Sequence, residues 1–185
     1  MKYKRISLLI LILILFTYSI TGYSYYNNNY SYETVKNYIA YRIKYIHNIA
    51  YNTNVSLAKF KAKKYAKTII NWSTYYSREL GVSIDPLLVT AILETETNFV
   101  SRSDYDNGES IGISSMKVDT ARWVAKRINV DYSKWRMLDA TDLGIRLSVY
   151  YLGLAHKRYN NNIHKVIVSY NQGFQNVYSK DTDNF

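Results

Sequence analysis

The segment S-I-D-P-L-L-V-T-A-I-L-E-T-E-T-N-F, residues 83–99, reads as one short helix with a carboxylate near its far end. Asp85 followed by Pro86 is a start signal. An aspartate side chain can accept from the free N–H groups of the first turn, and proline fits the first helical position because its missing N–H is not needed there. At about 100° per residue, Leu88, Val89, Ile92, Leu93 and Phe99 fall on one continuous apolar arc. Glu96 falls inside that arc, with Ile92 and Phe99 on one side and Val89 and Leu93 on the other. Glu94 points roughly the opposite way, among polar neighbours. A carboxylate on the buried side of a helix loses hydration, which disfavours its charged form and raises its pKa. A carboxyl still protonated at neutral pH is what a general acid needs. The competing reading is an ordinary acid at the helix end that reaches water.

Outward from this helix, the chain of 185 residues is long enough for one domain with a real core plus some extra. Its formal charge of +10 suits an anionic partner, such as cell-wall polymer, a membrane surface or nucleic acid, although most of the lysines read most simply as a solvated face. Cysteine is absent, which excludes a disulfide framework and thiolate chemistry.

Residues 1–5, M-K-Y-K-R, are a positive start, and residues 6–16 are an unbroken apolar run. This is an export-signal pattern, short for a permanent span of about 20 apolar residues. Residues 1–22 are therefore expected to be a signal peptide or a membrane anchor; no clean A-x-A site comes after the run, so cleavage and retention both stay open. Either way the remainder is expected to work outside the cytoplasm, in the periplasm or cell envelope, which argues against a nucleic-acid role. Residues 23–32, rich in Tyr, Asn and Ser, read as a linker.

Residues 33–52 read as a helix with Ile39, Ile43, Ile46 and Ala50 on one stripe. A second, basic helix over residues 56–80 turns Ala62, Tyr65, Ile69 and Trp72 or Tyr76 inward, and Gly81 stops it. Beyond Phe99 lies a polar loop with the turn pair Asn107-Gly108, and residues 111–116 are the one place for a small β-hairpin. Asp119 is expected to cap a helix through residue 127, with residues 128–137 irregular. Asp139 or Thr141 begins a long helix to about residue 159, and a last helix over residues 163–172 ends at Gly173.

Three short motifs then line up. Glu96-Thr97-Asn98-Phe99 ends the first helix described. Gly112-Ile113-Ser114-Ser115-Met116 lies in the loop or hairpin beyond it. Ser169-Tyr170-Asn171-Gln172-Gly173 ends the last helix. Their order and spacing resemble the catalytic domain of soluble lytic transglycosylases, which is related in fold to goose-type lysozymes and reads E-S-x-F, G-L-M-Q and A-Y-N-A-G. The D-P-L-L-V-T-A-I leader and Tyr151-Leu152-Gly153-Leu154-Ala155 resemble it too. The resemblance covers residues 64–178, with residues 33–63 as an N-terminal helical extension and residues 179–185 as a tail. It implies a mainly α, lysozyme-like helical domain with at most one small β-hairpin.

The resemblance also implies that Glu96 is the single acid/base of a glycan-cleaving site. It would protonate the oxygen between N-acetylmuramic acid and N-acetylglucosamine in peptidoglycan, then accept a proton from the C6 hydroxyl as a 1,6-anhydro ring closes. Tyr170 would hydrogen-bond to Glu96 and hold its orientation. Ser114, Ser115, Met116, Tyr170 and Asn171 would shape the sugar site. One departure stands out: Ser114-Ser115 replace the family's Met-Gln, and a serine cannot span the gap a glutamine does.

Other readings fit parts of the chain. A hydrolytic muramidase would need a base about 6.5–9.5 Å from the acid, and Asp104, Asp106 and Glu109 lie in the right loop. Ser114-Ser115-Met116-Lys117 matches S-x-x-K of the penicillin-binding proteins, but there is no K-T-G beyond it. A catalytically weak peptidoglycan-binding or secretion-assembly protein would keep the groove without turnover. His47, His156 and His164 are scattered, with no H-E-x-x-H pattern and no Gly-rich phosphate loop, so no metal or cofactor is expected. The expected partners are glycan strands, with cell-envelope machinery and a membrane beside them.

Overall fold

The computed structural model describes residues 31–51 and 59–177. The expected signal or anchor, most of the linker and the tail lie outside them. Among the described residues no helix is long and apolar enough to cross a membrane.

The elements run α1 (Tyr32–Tyr51), α2 (Lys59–Leu80), α3 (Pro86–Thr97), β1 (Ser110–Ile111), β2 (Met116–Lys117), α4 (Val118–Arg127), α5 (Lys134–Leu138), a π-helical turn (Ala140–Gly144), α6 (Ile145–Arg158) and α7 (Ile163–Gln172). The expected mainly α domain with one small hairpin is what forms. β1 and β2 pair antiparallel, Ser110 with Lys117 and Ile111 with Met116.

Apolar spacing explains the packing. Ile39 and Ile43 of α1, Ala62, Tyr65, Ile69 and Tyr76 of α2, and Leu88, Val89, Ile92 and Leu93 of α3 are all buried in one cluster with Ile145, Val149 and Leu152 of α6. Trp72 only packs against its edge. A second cluster joins the hairpin, α4 and α5 to the other side of α6 through Ile111, Val124, Met137, Leu143 and Leu147. Tyr170 and Phe174 touch both clusters. The end of α7 therefore lies on the seam between two apolar lobes.

α3 starts as its sequence demands: the Asp85 side chain accepts from the Leu87 N–H at 2.8 Å, with Pro86 at the first helical position. It ends in two consecutive left-handed residues, Asn98 (φ 51) and Phe99 (φ 62). Asparagine tolerates that region, whereas a bulky aromatic there is uncommon. Phe99 holds it because its ring is 2% exposed, locked into the first cluster.

Four expectations are corrected. Asp119 is not the cap of α4: Lys117 holds that position, the Val118 N–H donates to the Glu109 carbonyl at 2.9 Å, and Asp119 instead pairs with Arg122 inside the helix. The hairpin strands occupy the two ends of residues 111–116, and residues 112–115 turn between them, with Gly112 and Ser115 both at positive φ. Residues 128–137 are not wholly irregular, since they contain most of α5. A five-residue helix is too short to carry periodicity; Arg136 holds it, gripping Asp142 through two hydrogen bonds of 2.6 and 2.9 Å. Finally, Asp139 does cap the next helical stretch, accepting from the Thr141 N–H and hydroxyl, but the first five residues form a wide π turn and the α-helix proper begins at Ile145.

Gly112 is required twice over. Its φ is +81, and a Cβ there would stand 2.7 Å from the Met137 backbone oxygen. Backbone atoms on that side cannot swing away as a side chain can. Gly112→Ala is expected to cost roughly 2–4 kcal/mol. Gly108, at φ +90 with nothing within 4 Å, isolates the backbone contribution. Thermal melting of both alanine variants checks this: equal melting temperatures would refute the steric account.

Candidate active site

Three elements converge at the end of α3. The Thr97 hydroxyl, one residue beyond Glu96, donates to the Ile113 carbonyl at 2.5 Å. From the other side, the Tyr170 hydroxyl donates to the Ser114 carbonyl at 3.3 Å. The hairpin turn is thus clamped between the last turn of α3 and the last turn of α7. Tyr170 is itself braced: its ring meets Tyr151 edge-on at 5.8 Å, Tyr151 stacks on Phe174 at 4.5 Å, and the Tyr151 hydroxyl donates to the Ser169 carbonyl at 3.2 Å.

Glu96 is half-buried, and no described side chain or backbone N–H donates a hydrogen bond to it. Its pKa is pushed up from 4.5 to about 7. Burial is the larger cause, because low-dielectric surroundings penalise the ionised form; the negative charge of Asp106 adds to it. Asp106 lies in the 3₁₀ turn ahead of β1 and accepts from the Ser110 hydroxyl at 2.8 Å. Asp106 is exposed, and Glu96 is half-buried. The Tyr170 phenol is also raised, mostly by burial; the nearby Ser148 hydroxyl opposes the shift and the charge of Glu96 adds to it.

The structure brings Glu96, the hairpin turn and Tyr170 together, with differences from expectation. The direct Tyr170–Glu96 hydrogen bond is not formed: the phenol reaches Glu96 only through space and spends its proton on the Ser114 carbonyl. Ser114 is fully buried and its hydroxyl has no hydrogen-bond partner, so its side chain points inward and not to a sugar. Met116 is 6% exposed, part of the second apolar cluster. Of the residues expected to touch substrate, Ser115 and Tyr170 are half-buried and Asn171 is exposed. Two surface clefts lie along α2, one reaching Tyr32 of α1 and the other Thr141 of the π turn, and they share Asn71 and Tyr75; Glu96 lines neither. Among the described residues no group of His, Cys, Asp and Glu is arranged to hold a metal.

The sequence reading did not single out Thr97 and Ser148. A hydroxyl directly after the acid was visible as a hint, since serine or threonine in E-[S/T]-x-F sits one helical step from the carboxylate. Ser148 carried no signal. It is one polar residue on a buried face of α6, bonded to the Gly144 carbonyl at 2.7 Å and close to the Tyr170 phenol.

Residues 75–184 match the Transglycosylase SLT domain, more than half of the chain. The chain belongs to the SLT transglycosylase family. Comparison with curated proteins and with solved structures finds no match. The SLT match spans the end of α2 through α7, so Glu96, Asp106, the hairpin turn, Tyr170 and Asn171 all lie inside it. Family membership gives activity of the peptidoglycan lytic transglycosylase type, with peptidoglycan as substrate. α1 and most of α2 lie outside the SLT segment yet contribute Ile39, Ile43, Ala62, Tyr65 and Ile69 to its first apolar cluster.

Proposed function

We propose that this chain is an exported lytic transglycosylase that cleaves the β-1,4 bond between N-acetylmuramic acid and N-acetylglucosamine with Glu96 as its only acid/base. The observation that carries the reading is the half-buried Glu96 carboxyl, raised to about 7, one residue before the Thr97 that is bonded to the hairpin turn, within an SLT segment. In the first step Glu96 gives its proton to the glycosidic oxygen as the bond to the anomeric carbon breaks. The positive charge developing on that carbon is stabilised by the sugar's own acetamido group. In the second step the C6 oxygen of the same sugar bonds to the anomeric carbon, and its proton returns to Glu96. No water is consumed and the acid is regenerated. Tyr170 supports the site by holding the hairpin turn against α7, and Ser115 and Asn171 face the sugars. Residues 1–22 direct or anchor the chain at the cell envelope, beside the envelope machinery.

Asp106 favours a second reading. A carboxylate within electrostatic reach of the acid is what an inverting hydrolase uses to activate water. Digestion of purified peptidoglycan followed by mass measurement separates the two: 1,6-anhydro ends support transglycosylation, and reducing ends that vanish in Asp106→Asn support hydrolysis.

The sign of the shift sets the pH profile. Glu96 acts as an acid only while protonated, so activity falls as pH rises through about 7. Asp106→Asn removes a charge that raises this pKa, so the alkaline limb moves to lower pH. A limb that stays put in that variant would disconnect Asp106 from the acid.

A further inference from the structure

We propose that Arg42, on α1 and outside the SLT segment, is a positioning residue that holds the last turn of α3 and so aims Glu96. This rests on reading Glu96 as the acid. The Arg42 guanidinium grips Glu94 through two of its nitrogens: Nε donates to Oε2 at 2.8 Å and Nη2 to Oε1 at 2.6 Å. A paired fork of this kind fixes direction as well as distance, unlike a single ammonium contact. The Glu94 side chain is 17% exposed and that of Arg42 36%, so the pair is only partly screened by water.

Glu94 is also a main-chain anchor. Its carbonyl accepts the Asn98 N–H at 2.9 Å, the bond that closes α3. Glu96 stands between these two tied positions. On the far side of the same turn Thr97 is pinned to the Ile113 carbonyl. The turn is therefore held by α1 on one flank and by the hairpin on the other. Glu96 itself accepts no hydrogen bond from a described residue, so its aim depends on the backbone that carries it. The Arg42 end of the clamp is firm, because Val35, Ile39, Ala40 and Ile43 of α1 are buried in the same cluster as Val89, Ile92 and Leu93 of α3.

The charge of Glu94 is not among the causes of the Glu96 shift, which are burial and Asp106. Loss of the clamp therefore exerts no direct charge effect on Glu96 and acts on it through the backbone alone. The test uses the full chain on soluble peptidoglycan oligosaccharides, well below the melting temperature, with Glu96→Gln run alongside. Arg42→Gln is expected to lower kcat about tenfold, with KM within about twofold and the alkaline limb unmoved, since a misplacement on the order of 1 Å costs about 10²-fold. Arg42→Lys should fall between, and the exchanged pair Arg42→Glu with Glu94→Arg should recover kcat. If Glu96→Gln is inactive while Arg42→Gln keeps its kcat per folded molecule, the positioning role is refuted. The role is equally refuted if the alkaline limb moves with Arg42, or if the exchanged pair stays as slow as the single variant. If Glu96→Gln retains full activity, the reading of Glu96 itself falls, whatever Arg42 does.

Discussion

Glu96→Gln is expected to cut the release of soluble fragments from purified peptidoglycan by about 10²–10⁴-fold, the span that one positioned proton donor supplies. Glutamine keeps the shape of the side chain and cannot give up a proton, so binding to intact glycan should persist. The same variant carries a stability signature of opposite sign. The folded carboxyl sits near 7 against an ordinary value of 4.5, so the native state binds the proton more tightly than the unfolded chain does. Wild-type stability from this group is fully present below 4.5 and is lost as pH rises through about 7, where a half-buried charge must form. Glu96→Gln should therefore melt with the wild type at about pH 4 and above it at about pH 8. A variant that lost activity but melted below the wild type at the alkaline end would mean that burial is not what raises this acid.

Phe99→Ala is expected to be among the most damaging single changes to the fold. The ring is 2% exposed, and emptying such a site costs about 3–5 kcal/mol. At about 2–4 °C per kcal/mol for a chain of this size, the melting temperature should drop by roughly 10 °C. The backbone adds to this. Phe99 occupies the left-handed region at φ 62 against its own preference, and the buried ring is what keeps it there. Without the ring, the segment that comes after Glu96 is free to leave that conformation, so activity at low temperature should fall as well. Asn98→Gly is the control: Asn98 shares the left-handed region at φ 51 but is exposed, and glycine there should be neutral or mildly stabilising. A Phe99→Ala loss no larger than that of an average surface change would refute the account.

The sequence was most legible where physics is local. Asp85-Pro86 and the apolar arc of α3 are decided within a few residues, and the cap and the buried face appear as expected. The desolvated position of Glu96 was legible for the same reason, since it depends only on spacing along one helix. The failures share a cause. The Asp119 cap lost to a hydrogen bond from Val118 to Glu109 across the hairpin, and α5 depends on Arg136 reaching Asp142 in the next element. Glu94 looked like an ordinary surface acid because its partner is 52 residues away. Ser114 and Met116 occupy positions that the family motif associates with sugar, yet the turn at Gly112 and Ser115 rotates them inward. Motif order located the site; only tertiary contacts decided which of its side chains face out.

The SLT segment begins at residue 75, inside α2, which starts at Lys59. The edge of recognisable chemistry thus falls inside one continuous helix. Sugar cleavage demands particular atoms, whereas α1 and the first half of α2 supply bulk, reach and a few charges. Ancestry can fade from those helices while their mechanical duty persists. A lineage of such proteins would then look, by pattern alone, like a shared catalytic half carrying unrelated front ends, each one quietly indispensable to the half it holds up.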